Sequence, residues 1–229
     1  MIDIHSHLIP NVDDGSKSIG ESIDVLKKLE KDGITDIILT PHVHSIATRA
    51  NRQTQIKQFE VLKNVAKSEN ININLYLGAE IMYLSHIDID YSKYTLNNSK
   101  YILIEFNSSF NTQIEDITYN IIKHNFIPII AHIERYHYLT IDDIRRIKAN
   151  GALIQVNSDA LIGKRGRKEK KFIKQLLKYQ LIDFIASDTH GYKRPSKMKE
   201  AYKYLEKRID NKYLNEMFID NALKIINNI

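Results

Sequence analysis

Short apolar runs alternate with amphipathic stretches along the whole chain. The first run, Met1 to Ile4, is β-prone and leads straight into His5 and His7. Ile19, Ile23, Leu26 and Leu29 then recur at helical spacing, with Lys and Glu between them. Ser16 or Ser18 is placed to cap this helix, and Gly33 to end it. Residues 34–40 predict a second strand, closed by Pro41 and His42. A second amphipathic helix, from about residue 51 to 69, is expected to turn Ile56, Phe59, Leu62 and Val65 inward. Residues 71–79 predict a strand ending at Glu80, and the Tyr-, Asp- and Asn-rich residues 82–98 a loop. The strand over 101–106 carries Glu105, and a helix follows near 114–124. Residues 126–131 form a short apolar run ending at His132. Thr140 caps a helix to about Asn150, and Gly151 ends it. A strand over 152–156 leads to Asn157 and Ser158, then a very basic helix over roughly 166–180. The run 181–186 ends in Ser187, Asp188 and His190, and helices near 196–208 and 212–227 close the chain.

Seven β-then-α alternations with nearly continuous apolar strands predict a parallel sheet covered by helices. A closed seven-stranded barrel of the TIM type fits the length and count best, with a doubly wound open sheet as the alternative. No break in composition marks a linker, so residues 1–229 read as a single domain.

Composition narrows the chemistry. There is no cysteine, which excludes disulfides, thiolate metal sites and a cysteine nucleophile. No run approaches the length of a membrane span, and the first strand leaves no room for a leader, so a cytoplasmic protein is expected. The net charge of +5 favours acidic partners without specifying them.

In a parallel barrel the C-terminal ends of the strands meet on one face. His5, His7, Asp14, His42, Glu80, Glu105, His132, Asp188 and His190 all fall there, five imidazoles and four carboxylates. Residues i and i+2 of a strand point to the same side, so His5 and His7 can serve one ion. Burying so many titratable groups is costly unless they are paired or bound to metal. Imidazole and carboxylate without thiolate suit Mn, Fe or Zn, and the number of ligands calls for two or three ions. Clustered divalent ions of this kind serve phosphate-ester hydrolysis. Asp13 is an alternative to Asp14 as the ligand; His44, His86, His124 and His137 do not sit directly at strand ends and read as ordinary histidines, with support of the cluster from outside as the alternative for His44 and His137.

The His5-x-His7 start, His42, Glu80, His132 and the Asp188-x-His190 pair resemble the PHP (polymerase and histidinol phosphatase) superfamily. More narrowly, Met1-Ile-Asp-Ile-His-Ser-His7 with Val12-Asp-Asp-Gly15, Gly78-Ala-Glu80, Ile104-Glu-Phe106, Ala131-His-Ile-Glu-Arg-Tyr136 and Ser187-Asp-Thr-His190 is similar to the CpsB/CapC/YwqE-type bacterial protein-tyrosine phosphatases. The similarity runs over essentially the whole chain. It implies a distorted TIM-like (β/α)7 barrel of the PHP type with a metal cluster at the C-terminal strand ends. It further implies that His5, His7, Glu80 and Asp188 hold a first ion, that Glu80 bridges to a second with Glu105 and His132, and that Asp14, His42 and His190 hold a third. Arg135 and Arg194 resemble the phosphate-binding arginines, and Mn²⁺ is the implied activator. The implied partner is a phosphorylated tyrosine autokinase with a Tyr-rich C-terminal tail, which controls capsule or exopolysaccharide synthesis and supplies the only, indirect, link to a membrane.

Two readings stay beside this one. A histidinol-phosphate phosphatase-like enzyme or a phosphodiesterase would share the fold, and Arg135 could simply pair with Glu134 or another carboxylate. The basic run at 164–171 reads as a solvated helix start that is also placed to steer an acidic tail. No nucleic-acid motif accompanies it.

Overall fold

A computed structural model describes residues 1–109 and 111–229. Among the described residues, nine strand segments, β1 (Ile2–Ser6), β2 (Asp36–Leu39), β3 (His42–Val43), β4 (Asn74–Leu77), β5 (Glu80–Met82), β6 (Tyr101–Glu105), β7 (Ile127–Ile130), β8 (Leu153–Asn157) and β9 (Phe184–Ala186), pair only in parallel. One sheet runs β1-β2-β4 and the other β3-β5-β6-β7-β8-β9. The two are continuous in the chain: β2 resumes as β3 after Thr40 and Pro41, and β4 as β5 after Gly78 and Ala79. Hydrogen bonds from Gly78 N to Leu39 O (2.8 Å) and Glu80 N to Pro41 O (3.1 Å) carry the pairing across both breaks. Proline has no N–H for the ladder, which accounts for the first interruption. The result is seven staves. The last returns to the first through a parallel bridge between Ser6 and Thr189 and bonds from His7 N to Thr189 O and Asp188 N to His5 O, each 2.9 Å. The sheet is thus curled into a barrel, not an open doubly wound layer.

Inside it lie Ile2, Ile4, Ile38, Leu103, Ile129, Phe184 and Ala186, and Leu96, Ala222 and Ile225 pack onto the same cluster. The larger cluster lies between the sheet and the helices. The helices are α1 (Ile19–Lys31), α2 (Arg52–Ser68), α3 (Ile114–Lys123), α4 (Ile141–Ala149), α5 (Ser158–Leu161), α6 (Arg167–Lys178), α7 (Met198–Leu205), α8 (Asn211–Asn215) and α9 (Asn221–Ile226). Ser18, not Ser16, caps α1, and Thr140 caps α4 with a reciprocal bond to Asp143. Two sequence expectations shift. Glu80 begins a strand segment instead of following one, and His42 likewise opens β3. The buried face of α2 is Gln55, Phe59, Leu62 and Ala66, while Ile56 is 44% exposed. Residues 82–98 contain two short 3-10 turns, and the closing helical stretch contains a π turn over Glu216–Asp220.

Candidate metal centre

All nine imidazoles and carboxylates singled out in the sequence converge at one end of the barrel. β1 brings His5 there through an irregularity. Ile2 and Ile4 pack with the interior, and the pairing register with β2 slips between Asp3 and Ser6. Such a slip re-aims the side chains beyond it, so His5 and His7 both reach the mouth, with their Nε2 atoms 3.2 Å apart. Glu80 Oε2 lies at the centre: His5 Nε2 is 3.3 Å away, His7 Nε2 3.2 Å and His42 Nδ1 3.0 Å. Its other oxygen accepts from His132 Nε2 at 2.7 Å. Glu105 faces His42 Nδ1 (3.3 Å) and His132 Nε2 (3.6 Å). Asp14 Oδ1 faces His190 Nε2 (3.3 Å) and His42 Nε2 (3.6 Å). Three sets of ligand atoms each gather within 4.8 Å: His7, Asp14, His42 and His190; His5, His7 and Glu80; His42, Glu80 and Glu105. His42 therefore belongs both to the set with Asp14 and His190 and to the set with Glu80 and Glu105, where the resemblance placed it with Asp14 and His190 alone.

Asp188 is divided between two duties. Its Oδ1 looks at His5 Nε2 (3.6 Å) and His7 Nε2 (3.5 Å). Its Oδ2 accepts from Arg135 Nη2 (2.5 Å), Asn157 Nδ2 (2.8 Å) and Arg194 Nη1 (2.8 Å). Arg194 also touches His190 Nε2. Both arginines thus rim the cluster, and Arg135 is paired with Asp188. Glu134 turns away toward Asn157 N, and burial pushes its carboxyl up to about 8.

Asp13 and Asp14 separate clearly. Asp13 is buried, accepts from His7 Nδ1 at 2.8 Å and from the backbone N–H groups of Gly15 and His42, and has no oxygen turned to the other imidazoles. Gly15 is required by this turn: a Cβ there would sit 2.1 Å from the His7 carbonyl oxygen. His44 instead meets Tyr94 edge-on, and His137 lies 3.3 Å from Glu169, both outside the cluster.

Two residues that sequence reasoning did not single out hold the site from behind. Gln155 Oε1 accepts from His132 N (2.8 Å) and lies 3.1 Å from His5 Nδ1, while its amide donates to Asn157 Oδ1 (2.8 Å). With Asn157 bonded to Asp188, the pair fixes His5, His132 and Asp188 together. The only signal for them was two polar residues inside an apolar strand, Leu153-Ile-Gln-Val-Asn157. An acceptor on Nδ1 leaves His5 Nε2 free for a cation. Gln155→Leu is therefore expected to weaken metal affinity roughly 10- to 100-fold, measured by metal titration of the purified protein.

The donor set fits divalent ions. Asp14 Oδ1, His42 Nδ1, Glu80 Oε2, Glu105 Oε1 and His132 Nδ1 are buried without a well-formed hydrogen bond among the described residues. Each such group costs about 1–3 kcal/mol if left so. Burial and then Arg135 lower His132 to about 4, and burial and then His7 lower His190 to about 4, which keeps both neutral as ligands must be. Burial would raise Glu80, but His5, His42 and His132 hold it well below the usual carboxylate range. Burial and the charge of Glu80 together raise Glu105. His132 and Asp188 both adopt positive φ, +36° and +50°, a backbone region that non-glycine residues enter rarely and often at functional sites.

The family profile described as "Capsular polysaccharide synthesis, CpsB/CapC" matches residues 1–227. The chain belongs to the CpsB/CapC family. Within it, the chain is 32% identical to the tyrosine-protein phosphatase CpsB of Streptococcus agalactiae, over 100% of this chain and 99% of that protein. It is likewise 32% identical to the tyrosine-protein phosphatase YwqE of Bacillus subtilis, over 100% and 92%. A solved structure from work on YwqE of B. subtilis and CpsB of Streptococcus pneumoniae, described there as unique metal-dependent tyrosine phosphatases, superposes with a TM-score of 0.91 at 30% identity. It covers 100% of this chain and 95% of that one. A lactonase from Listeria monocytogenes shares the fold at 15% identity and a TM-score of 0.64, covering 98% and 94%. The barrel is thus shared beyond the CpsB/CapC family.

Proposed function

We propose that this CpsB/CapC-family protein is a metal-dependent protein-tyrosine phosphatase, that residues 1–229 act as one unit, and that Mn²⁺ is its activating ion. The observation that carries this reading is one rim holding nine imidazole and carboxylate ligands with two arginines beside them, in a chain without cysteine. His5, His7, Glu80 and Asp188 would hold one ion. Glu80, Glu105 and His132 would hold a second, with His42 Nδ1 alongside, and Asp14, His42 and His190 a third. Bound ions would polarise the phosphoryl oxygens and make water nucleophilic near neutral pH.

The protein's own residues do the rest. Asp13 and Gln155 fix the ring orientations of His7 and His5. Arg135 and Arg194, tied to Asp188 Oδ2, present planar forks to the equatorial oxygens of a phosphoryl group. A phenol leaving group, with a pKa of about 10, needs less protonation than an alkyl oxygen. This suits a rim that offers cations and acceptors but no obvious strong acid.

The substrate we assign is the phosphorylated, Tyr-rich C-terminal tail of a tyrosine autokinase governing capsular or exopolysaccharide synthesis. No helix among the described residues is long and apolar enough to cross a membrane. We place the protein in the cytoplasm, meeting the membrane only through that kinase. With Mn²⁺ present, turnover of a phosphotyrosine peptide, histidinol phosphate and a phosphodiester should be compared side by side. The peptide is expected to be hydrolysed at least tenfold more efficiently than the others. Preference for histidinol phosphate or for the diester would replace this reading with a small-molecule phosphatase or a phosphodiesterase.

A further inference from the structure

Beside the metal centre lies a cleft of about 640 Å³. Asp14, His190 and Arg194 form the wall it shares with the cluster. Further lining comes from two loops far apart in sequence. Lys164 and Arg165 stand between α5 and α6, and Lys193 and Lys197 between β9 and α7. Five cationic side chains therefore face only two carboxylates, Asp14 and Asp159. Three of the cations are engaged: Arg194 with Asp188, Arg165 with Asp159 at 2.6 Å, and Lys197 with Glu200 at 2.9 Å. Lys164 and Lys193 are exposed and have no carboxylate partner among the described residues.

We propose that this cleft is a second anion subsite, binding a further carboxylate or phosphate on the same phosphotyrosine peptide, with Lys164 and Lys193 as its specificity-determining residues. This rests on the phosphatase reading above. A cleft of this size is on the scale of sites for ligands of many groups, well beyond one phosphate. A phosphotyrosine seated over the cluster leaves its neighbours along an extended peptide at roughly 3.3–3.6 Å per residue, so residues one to three away pass the cleft. Ammonium groups are compact point charges that accept carboxylate or phosphate oxygens without a fixed fork geometry. The basic run is not a single patch. Lys170 bonds Ile162 O and lies over Tyr204, and Glu169 meets His137. The selectivity is carried by one end of that run together with a lysine from the next loop.

The test uses the Mn²⁺-loaded full chain and peptides carrying a phosphonodifluoromethyl-phenylalanine, a non-hydrolysable phosphotyrosine mimic. The mimic is flanked by glutamates, by a second copy of itself, or by glutamines. Wild type is expected to bind both acidic peptides about fivefold to tenfold more tightly than the glutamine peptide, an advantage that shrinks with salt. Lys164→Ala/Lys193→Ala should reduce the preference to about twofold or less, and Lys164→Arg/Lys193→Arg should keep it. A preference for the doubly mimetic peptide alone would assign the subsite to phosphate, and a preference for both would assign it to anions in general. Equal binding of all three by wild type, or a preference surviving in the double alanine variant, overturns the proposal. Failure of the phosphatase reading shows separately, as absence of turnover of true phosphotyrosine peptides by the same preparation.

Discussion

Chelation is expected to abolish phosphatase turnover, and added Mn²⁺ to restore it best. The argument begins with charge. Glu80 and Asp188 are almost fully buried, and Glu105 nearly so, within one cluster. Without compensation, such groups repel one another and suffer desolvation. The imidazoles around them offset this only in part, since His132 and His190 are held neutral. Divalent ions would satisfy both sets of ligands at once and displace the protons they share. His5→Ala and Asp188→Ala should therefore lose metal and activity together, by more than the roughly 10- to 100-fold that loss of an outer hydrogen-bonding partner costs. Binding to the folded state alone also raises stability. The melting temperature of wild type should rise with Mn²⁺, and that of Asp188→Ala should respond less. Elemental analysis, turnover and melting on the same preparations decide it. Full activity after exhaustive metal removal would sink the mechanism.

The cluster was legible in the sequence because most of its candidate ligands stand at or just past the end of an apolar run; Glu105 lies within one and Asp14 in the turn beyond His7. The barrel converts that one-dimensional punctuation into a ring. What was not legible depends on polar anchors that periodicity cannot see. The periodicity predicts Ile56 and Val65 on the inner face of α2; Val65 packs half-buried against the core, but Ile56 is exposed and Gln55 and Ala66 are buried. Gln55 Nε2 donates to His42 O at 3.0 Å, and Arg52 Nη1 to Gly78 O at 2.8 Å, which rotates the helix toward the strand breaks. A hydrophobic pattern assigns Gln55 to solvent, yet its amide holds the backbone of a candidate ligand. Gln155 escaped for the same reason, as one polar letter inside a strand. Asp13 and Asp14 are neighbours in a tight turn closed by Gly15, where Asp13 meets His7 Nδ1 and Asp14 faces His190 and His42, a difference that periodicity does not carry. Lys193 could not be joined to Lys164 before the order of the staves was known.

Arg135→Ala is expected to lose about a hundredfold to a thousandfold in rate while keeping fold and metal. The magnitude is that of removing one preorganised donor to charge developing in a transition state. Guanidinium carries no lone pair for a cation, so Arg135 is not a ligand. Burial would lower its pKa, but Asp188 and Glu134 raise it, so the group stays charged throughout the working pH range. Its side chain is one-third exposed at the rim, and its Nη2 rests on Asp188 Oδ2 at 2.5 Å. That contact also says what the variant should spare. Asp188 Oδ2 keeps Asn157 Nδ2 and Arg194 Nη1, each at 2.8 Å, so Oδ1 remains aimed between His5 and His7. Metal content should hold near wild type, in contrast to His5→Ala. Arg135→Lys should recover only part of the rate, because charge returns without the fork that matches phosphoryl oxygens. Arg194→Ala should also slow the reaction, and the double variant should show whether the two act on one oxygen pair: losses that multiply indicate separate contacts, and losses that do not indicate a shared one. Wild-type turnover by Arg135→Ala, or loss of its metal as in the ligand variants, would show that the pairing with Asp188 is the residue's whole role.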